Sequence, residues 1–180
     1  MPRYVALLRG INVGGHRVKM DHLRSLFGDM GFDDVATFIA SGNVIFSTPS
    51  EDPSELESAI EKHLHGALGY EVATFVRTPA ELLDTIDIRG DEANDPDHSV
   101  YVTFTQSAPA DTVRNVLVAL ESGNDRFEFH GREVYWLICG KLSASPLFKG
   151  NDVAKVMKSV PHTARNITSL QKLLAKLGPE

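Results

Sequence analysis

Residues 3–47 have the sequence RYVALLRGINVGGHRVKMDHLRSLFGDMGFDDVATFIASGNVIFS, in which strand and helix patterns follow one another. Apolar residues occupy both faces of the first segment, so we predict a strand from Arg3 to Arg9 that is covered on both sides. Apolar residues then recur at helical spacing from Met20 to Met30, and Gly31 ends this predicted helix. Two β-rich runs follow, and the stretch therefore predicts a β-α-β-β unit.

The two β-rich runs, Val35 to Ala40 and Asn43 to Ser47, are separated by Ser41-Gly42, which is typical of a tight hairpin. Pro53 then opens a predicted helix. A fourth strand from Glu71 to Arg77 and a short helix from Pro79 complete this half. The order β-α-β-β-α-β is the ferredoxin-like pattern.

The polar, acidic segment 90–97 is the strongest boundary signal in the chain, and the same pattern starts again after it. The predicted elements beyond it are strands at 99–105, 126–130 and 133–139 and helices at 109–120, 151–157 and 166–177. The sequence therefore predicts an α+β fold of duplicated ferredoxin-like (βαββαβ) lobes with mainly antiparallel sheets. The first lobe is predicted over residues 1–90, and the second, with the terminal helices, over residues 91–180.

Composition indicates an ordinary globular protein, with 42% hydrophobic and 23% charged residues among 180. No apolar run approaches the roughly 18 residues that span a bilayer, and Val5–Leu8 is too short for a secretory core. The lone Cys139 cannot form an internal disulfide, which suits a reducing compartment. We therefore expect a cytoplasmic protein without membrane contact, in which Cys139 is buried on a strand and inert.

The formal net charge of -6 is distributed unevenly along the chain. Residues 1–24 hold five basic residues against one acidic residue, and residues 141–180 hold seven against two, whereas the middle of the chain is strongly acidic. The acidic balance argues against a general nucleic-acid-binding protein, because phosphate neutralisation needs a basic footprint. The two basic ends are the places where we expect an anion to bind.

The segment 9–19 joins the first strand to the first helix and is rich in glycine. Such a turn can direct backbone N–H groups at an anion, and Arg9, Arg17 and Lys19 would add full charges. The glycine spacing resembles a Walker motif, but His16 replaces its lysine, and no dinucleotide fingerprint is present. The alternative interpretation is that the glycines only permit positive φ in a crowded loop.

Two further segments carry residues suited to binding. Ser41-Gly42-Asn43 is either a hairpin turn or a rim that faces the same side as Asn12. Near the C-terminus, Asn166 is suited to cap the last helix, and Arg165 lies before it, where a cation opposes the helix dipole unless an anion or carboxylate compensates. Pairing of Arg165 with an acidic side chain of the first lobe is the alternative.

These segments together predict one anion site between the two lobes. The predicted ligand-binding residues are Arg9, Gly10, Asn12, Gly14, Gly15, Arg17, Lys19, Ser41, Asn43, Arg165 and Asn166. No catalytic residue, cofactor or oligomeric state is assigned by any motif. We predict no metal site, because His63 and His65 lie on opposite faces of a helix and zinc-binding spacings are absent from the sequence.

The segment 6–15, the Ser41-Gly42-Asn43 turn and the late Thr163-Ala164-Arg165-Asn166 resemble the bacterial domain of unknown function 1697 family in residue type and spacing. The resemblance implies a duplicated ferredoxin-like architecture and a signature formed by these same segments, but no substrate. The chain departs from the family pattern at Ala40, where Gln is usual, and at Ala164 and Ile167, where Thr and Trp flank the Arg-Asn pair.

The leading functional hypothesis is the binding of a small phosphorylated or carboxylated anion, with or without catalysis. Single-stranded nucleic-acid binding on a sheet face is a second hypothesis, but we do not expect it, because Tyr4 and Phe46 offer few of the stacking aromatics that this mode needs. A structural or dimerisation module without a ligand is the third.

Overall fold

The computed structural model describes residues 1–178, which contain eight strands in two four-stranded antiparallel sheets. The strands are β1 (Arg3–Leu8), β2 (Asp33–Phe38), β3 (Asn43–Ser47), β4 (Thr74–Arg77), β5 (His98–Thr105), β6 (Asp125–His130), β7 (Glu133–Cys139) and β8 (His162–Asn166). The α-helices are α1 (Met20–Asp29), α2 (Pro53–Leu68), α3 (Pro79–Arg89), α4 (Asp111–Ala119), α5 (Pro146–Lys149), α6 (Asp152–Met157) and α7 (Ile167–Leu177). No helix in this range is long and apolar enough to cross a bilayer.

The chain divides into two compact units. The first comprises Met1–Leu82 with the C-terminal segment from Leu173, and the second comprises Leu83–Lys172. The division therefore falls inside α3 and α7, whereas the sequence predicted it between residues 90 and 91. That predicted boundary stays a prediction.

The first sheet has the strand order β2-β3-β1-β4. β1 lies between β3 and β4, with Ala6 opposite Val44 on one side and Val76 on the other. Residues Val5 to Leu8 are at most 1% exposed, which confirms that the strand is covered on both faces. A strand that is covered on both faces needs apolar residues on both, which is why the uninterrupted apolar run indicated this burial.

Helices α1 and α2 contribute Leu23, Phe27 and Ile60 to the core of the first unit. α2 is bounded by strong signals, since the Asp52 carboxylate accepts hydrogen bonds from two backbone N–H groups of its first turn and Gly69 ends it with φ 81°. Between these caps α2 packs against β4.

The second sheet has the order β6-β7-β5-β8, which repeats the strand order of the first sheet. Its core contains Leu117 of α4, Phe127, Val134 and Met157 of α6. The expected fold class is confirmed: each unit contains a ferredoxin-like sheet with helices. The residue-level likeness between the halves is weak because packing constrains only the apolar pattern, and many apolar residues satisfy it.

Two local predictions in the second half are wrong, and one strand was missed. The segment before α7, for which no element was predicted, is strand β8, which pairs with β5. The sequence Ser143-Ala144-Ser145 before Pro146 predicts a flexible loop, but it forms the end of a 3-10 helix at Leu142–Ala144 and the N-cap of α5, where Ser145 is 1% exposed. Cys139, expected to be buried, is exposed because it ends β7 beyond the part of the sheet that the core covers.

Candidate functional site

The loop between β1 and α1 is built from backbone that few residues tolerate. Gly10, Asn12, Gly14 and Gly15 have φ values of 76°, 58°, 60° and 90°. Glycine adopts this left-handed region without steric cost, and Asn is the commonest other residue there. The glycines therefore have the conformational role that we weighed as the alternative to ligand binding.

Asn12 links the loop to itself and to the neighbouring turn. Its Oδ1 accepts a hydrogen bond from the Val18 backbone N–H at 2.8 Å, and its Nδ2 donates to the Ala40 carbonyl oxygen at 3.1 Å. The side chain thus closes the loop just before α1 and ties it to the β2–β3 connection. This geometry makes Asn12 a positioning residue for the loop.

The β2–β3 connection differs from the predicted two-residue hairpin. β2 ends at Phe38, so four residues join the strands, with Ile39 at φ 49° and Gly42 at φ 80°. The Asn43 side chain, which is 2% exposed, donates to the Phe38 carbonyl oxygen at 3.0 Å and to Ser41 Oγ at 2.8 Å. Ser41 and Asn43 therefore hold the shape of the connection, which agrees with the hairpin interpretation of this segment.

The connection packs directly on the loop through Gly42. The Leu8 backbone N–H donates to the Gly42 carbonyl oxygen at 2.8 Å. A Cβ atom at Gly42 would lie 3.1 Å from side-chain atoms of both Ile11 and Leu8. Only a residue without a side chain fits at this distance, so the loop and the connection form one packed unit.

We expect Gly42→Ala to lower the free energy of unfolding by about 2–3 kcal/mol, since it combines a left-handed alanine with overpacking. Gly28→Ala is the matched control, because Gly28 lies in α1 at ordinary helical φ with open space around it. The control should stabilise the protein by up to about 1 kcal/mol. Urea unfolding curves of both variants measure this. Equal free energies of unfolding for the two would show that a side chain at Gly42 costs no stability and would contradict the prediction.

A stacked pair anchors the tip of the loop, and sequence reasoning missed it. The rings of His16 and Tyr70 have centroids 3.8 Å apart at an interplanar angle of 25°. Tyr70 follows α2, so the contact joins segments more than fifty residues apart. No local sequence signal marks such a pair.

The charges at the loop are open to solvent. Arg17 and Lys19 are exposed, and within residues 1–178 neither has an ion-pair partner. Arg24, one turn into α1, instead pairs with Asp21 and donates to Thr37 Oγ1 at 2.7 Å. Arg9 is also exposed, and its backbone N–H donates to Ala73 at 2.9 Å.

The backbone N–H groups of Gly14 and Gly15 have no acceptor in the described part of the chain, whereas His16 N donates back to the Val13 carbonyl oxygen at 3.2 Å. The N-cap of α1, Lys19, offers no side-chain acceptor to the first turn of the helix. Donors without acceptors and cations without counter-ions thus occur in the same short segment, which is the arrangement that anion sites in proteins use.

Arg165 and Asn166 have different surroundings from those expected. Arg165 lies in β8 opposite Val102 and is 9% exposed, and its Nη1 donates to Thr163 Oγ1 at 2.6 Å and to the Ala164 carbonyl oxygen at 3.0 Å. Burial lowers the pKa of Arg165 to about 10, so the side chain stays cationic at neutral pH. Asn166 accepts from Thr168 N at 2.8 Å, which confirms its predicted role as the cap of α7.

The structure brings the predicted residues of the first unit, from Arg9 to Asn43, into one loop and the connection packed on it. That Arg165 and Asn166 belong to the same site stays a prediction. No cluster of three or more His, Cys, Asp or Glu side chains among residues 1–178 is placed to hold a metal ion.

The aromatic side chains considered for nucleic-acid stacking belong to the core. Tyr4 is 3% exposed and Phe46 is fully buried, with ring centroids 5.8 Å apart. Base stacking on a sheet needs exposed rings, so these two residues cannot supply it.

The family model described as "Protein of unknown function (DUF1697)" matches residues 1–135, a span that includes the loop and the β2–β3 connection and ends before β8. Among solved structures, "the structure of conserved bacterial protein SP0830 from Streptococcus pneumoniae" is similar, with 20% sequence identity, 99% of both chains covered and a TM-score of 0.77. At this identity the likeness shows the fold alone. No curated protein matched the chain significantly.

Proposed function

We propose that this chain, which belongs to the DUF1697 family of proteins of unknown function, binds a small phosphorylated or carboxylated anion at the loop between β1 and α1. The observation that carries the proposal is the coincidence, in residues 14–19, of backbone donors and cations for which residues 1–178 supply neither an acceptor nor a counter-ion. Hydrogen bonds from charged donors to phosphate or carboxylate oxygens are roughly twice as strong as neutral ones.

The loop is held in shape before any ligand arrives. Asn12 closes it, Gly42 packs against Ile11, and His16 stacks on Tyr70. A binding loop that is already ordered loses less conformational entropy when it binds, which favours affinity for a small ligand. The packed connection therefore supports the proposal even though the Asn43 side chain forms its hydrogen bonds within the connection, to Phe38 O and Ser41 Oγ.

The proposal requires only residues of the first unit. Arg17 and Lys19 are its principal cations, and Gly14 and Gly15 supply its backbone donors. That Arg165 and Asn166 also bind this anion is a separate prediction. Arg9 is a further candidate for contact with the anion at the loop.

We expect inorganic phosphate or citrate to raise the melting temperature of the wild type, because a ligand that binds only the folded state stabilises it by mass action. A ligand at about ten times its Kd would add roughly 1.4 kcal/mol, or several degrees for a chain of this size. The double variant Arg17→Ala/Lys19→Ala should lose most of this shift. Differential scanning fluorimetry at constant ionic strength measures it.

Lys62→Ala is the matched control, since Lys62 is an exposed cation of α2 in the same unit, away from the loop in sequence and without an ion pair among the described residues. The control should keep the full shift. Equal shifts in the wild type and the double variant would contradict the proposal. An equal loss in Lys62→Ala would show that only the overall charge matters, and would contradict it as well.

A further inference from the structure

A cavity of about 270 Å³ lies within the second unit, between the sheet and the helices α5 and α6. Residues of β5, β7 and β8 form its floor. Most of the lining is apolar or aromatic, and it includes no Asp, Glu, Lys or Arg side chain. Small-molecule sites in proteins have this character, with a few polar groups that fix the orientation of the ligand. The cavity plays no part in the function proposed above.

The strand register shows that the floor of the cavity has a counterpart in the first unit. In the first sheet, Tyr4 of β1 is paired with Phe46 of β3. In the second sheet, the corresponding strands β5 and β7 pair Tyr101 with Trp136. The first pair is buried in the core, whereas the second pair is only partly buried and lines the cavity. The second unit therefore leaves open a pair of aromatic rings that the first unit buries.

The positions two residues further along the central strands show the same difference. Ala6 of β1, which lies between Val44 and Val76, is fully buried. Thr103, the corresponding residue of β5, is partly buried, and its partner Ala164 on the edge strand β8 is exposed. Both residues line the cavity. The uncovered part of this face therefore extends from β7 across β5 to the edge of the sheet.

The segment that precedes the last strand of each unit explains the opening. In the first unit this segment is α2, a helix of 16 residues that packs against β4. In the second unit the corresponding segment is broken into α5, of four residues, and α6, of six residues. Helix α6 packs against α4. The broken segment therefore covers less of the sheet than α2 does, and the cavity lies over the strands that it leaves uncovered.

Two side chains of the broken segment are placed to contact a ligand in the cavity. Phe148 of α5 lines it and is 46% exposed. Asn151 also lines it and is the N-cap of α6, with φ 55°, but its side chain makes no capping hydrogen bond. An Asn at this position ordinarily accepts a hydrogen bond from the first turn of the helix. The described part of the chain offers this amide no other partner, so it can both donate to and accept from a ligand.

We propose that this cavity binds a small, planar, uncharged aromatic molecule, which lies over Tyr101 and Trp136 and forms a hydrogen bond with Asn151. Aromatic rings attract one another in offset-stacked and edge-to-face arrangements. Because no Asp, Glu, Lys or Arg side chain lines the cavity, an ionised group inside it would lose its hydration without compensation. The volume corresponds to roughly nine waters at liquid density, which is enough for a ligand of one or two fused rings.

The test uses NMR of the ¹⁵N-labelled full chain, because Trp136 is the only tryptophan and its indole N–H gives a single resonance. The probe is 2-naphthol, which is planar and uncharged at neutral pH. Decahydro-2-naphthol, which has the same carbon skeleton with saturated rings, is the matched control compound. We expect 2-naphthol to shift the indole resonance saturably, with a Kd below about 1 mM. The saturated compound should bind about two- to tenfold more weakly.

Ala164→Leu should weaken the binding of 2-naphthol by at least about tenfold, because the larger side chain occupies the cavity. Ala67→Leu, which changes an exposed alanine of α2, is the matched control and should bind like the wild type. Asn151→Gly should weaken binding by about three- to tenfold, since it removes the amide while glycine keeps the left-handed backbone. Arg17→Ala/Lys19→Ala should bind 2-naphthol normally, which separates this site from the anion loop.

An indole resonance that 2-naphthol leaves unchanged up to its solubility limit would overturn the site. Equal affinities of the wild type and Ala164→Leu would show that the probe binds elsewhere, and would overturn it as well. Equal affinities for the planar and the saturated compound would overturn the preference for an aromatic ligand. An unchanged affinity in Asn151→Gly would overturn the role of the amide. Dispersed backbone resonances verify that each variant is folded before affinities are compared.

Discussion

Asp125→Ala is expected to lower the free energy of unfolding by roughly 2–5 kcal/mol, because it leaves the buried Ser145 hydroxyl and the half-buried Trp136 indole N–H without an acceptor. Asp125 is fully buried at the start of β6, and its Oδ1 accepts from Trp136 Nε1 at 2.8 Å and from Ser145 Oγ at 2.7 Å. Each buried donor that loses its partner costs about 1–3 kcal/mol. The carboxylate thus links β6, β7 and the first turn of α5.

Urea unfolding followed by tryptophan fluorescence measures this effect at the site itself. Trp136 is the only tryptophan of the chain, and its indole N–H donates a hydrogen bond to Asp125. Asp125→Asn should be less damaging, because its amide oxygen can still accept both bonds. Asp87→Ala removes an exposed aspartate of α3 and should change stability by less than about 0.5 kcal/mol. A loss in Asp125→Ala no larger than in Asp87→Ala would show that the buried network contributes little.

Arg165→Ala is expected to cost about 3 kcal/mol, since it removes a buried side chain and leaves its hydrogen-bond acceptors within β8 without their donor. Arg165 donates to Thr163 Oγ1 and to the Ala164 carbonyl oxygen, and the substitution also leaves a void where the side chain packs. Arg165→Met keeps much of the apolar volume without the charge, and we expect it to lose less stability. Denaturant midpoints of both variants and of the exposed control Lys172→Ala give the comparison.

The same measurement separates two interpretations of Arg165. A structural role predicts a lower midpoint in Arg165→Ala with the phosphate-induced thermal shift retained. A ligand-binding role predicts an unchanged midpoint and a lost shift. Burial of this side chain favours the first outcome, and an unchanged midpoint would contradict it.

Several features of the candidate site were predictable because they are local. The left-handed backbone of residues 10–15 follows from glycine and asparagine at those positions, and the capping of α7 follows from an Asn before an amphipathic helix. The exposure of Arg17 and Lys19 follows from their place in a polar loop. Here the conformational preference of one residue, or of its immediate neighbours, is enough to decide the outcome.

Contacts between distant segments were not predictable in the same way. Three contacts depend on where another part of the chain packs. They are the hydrogen bond from Asn12 to the Ala40 carbonyl oxygen, the stacking of His16 on Tyr70 and the hydrogen bond from Ser145 to the buried Asp125. The pairing of Tyr101 with Trp136 depends on strand register, and no pattern within either strand encodes it.

The sequence by itself determined the order of helices and strands in the first half of the chain, the coverage of β1 on both faces and the glycine-built loop, because apolar periodicity and backbone preference act over a few residues. Only the tertiary structure decided that β8 is a strand, that Cys139 is exposed and that Arg165 is buried. Burial and strand pairing are properties of the assembled sheet. A residue acquires them from neighbours brought together by folding, so its own type and spacing do not specify them.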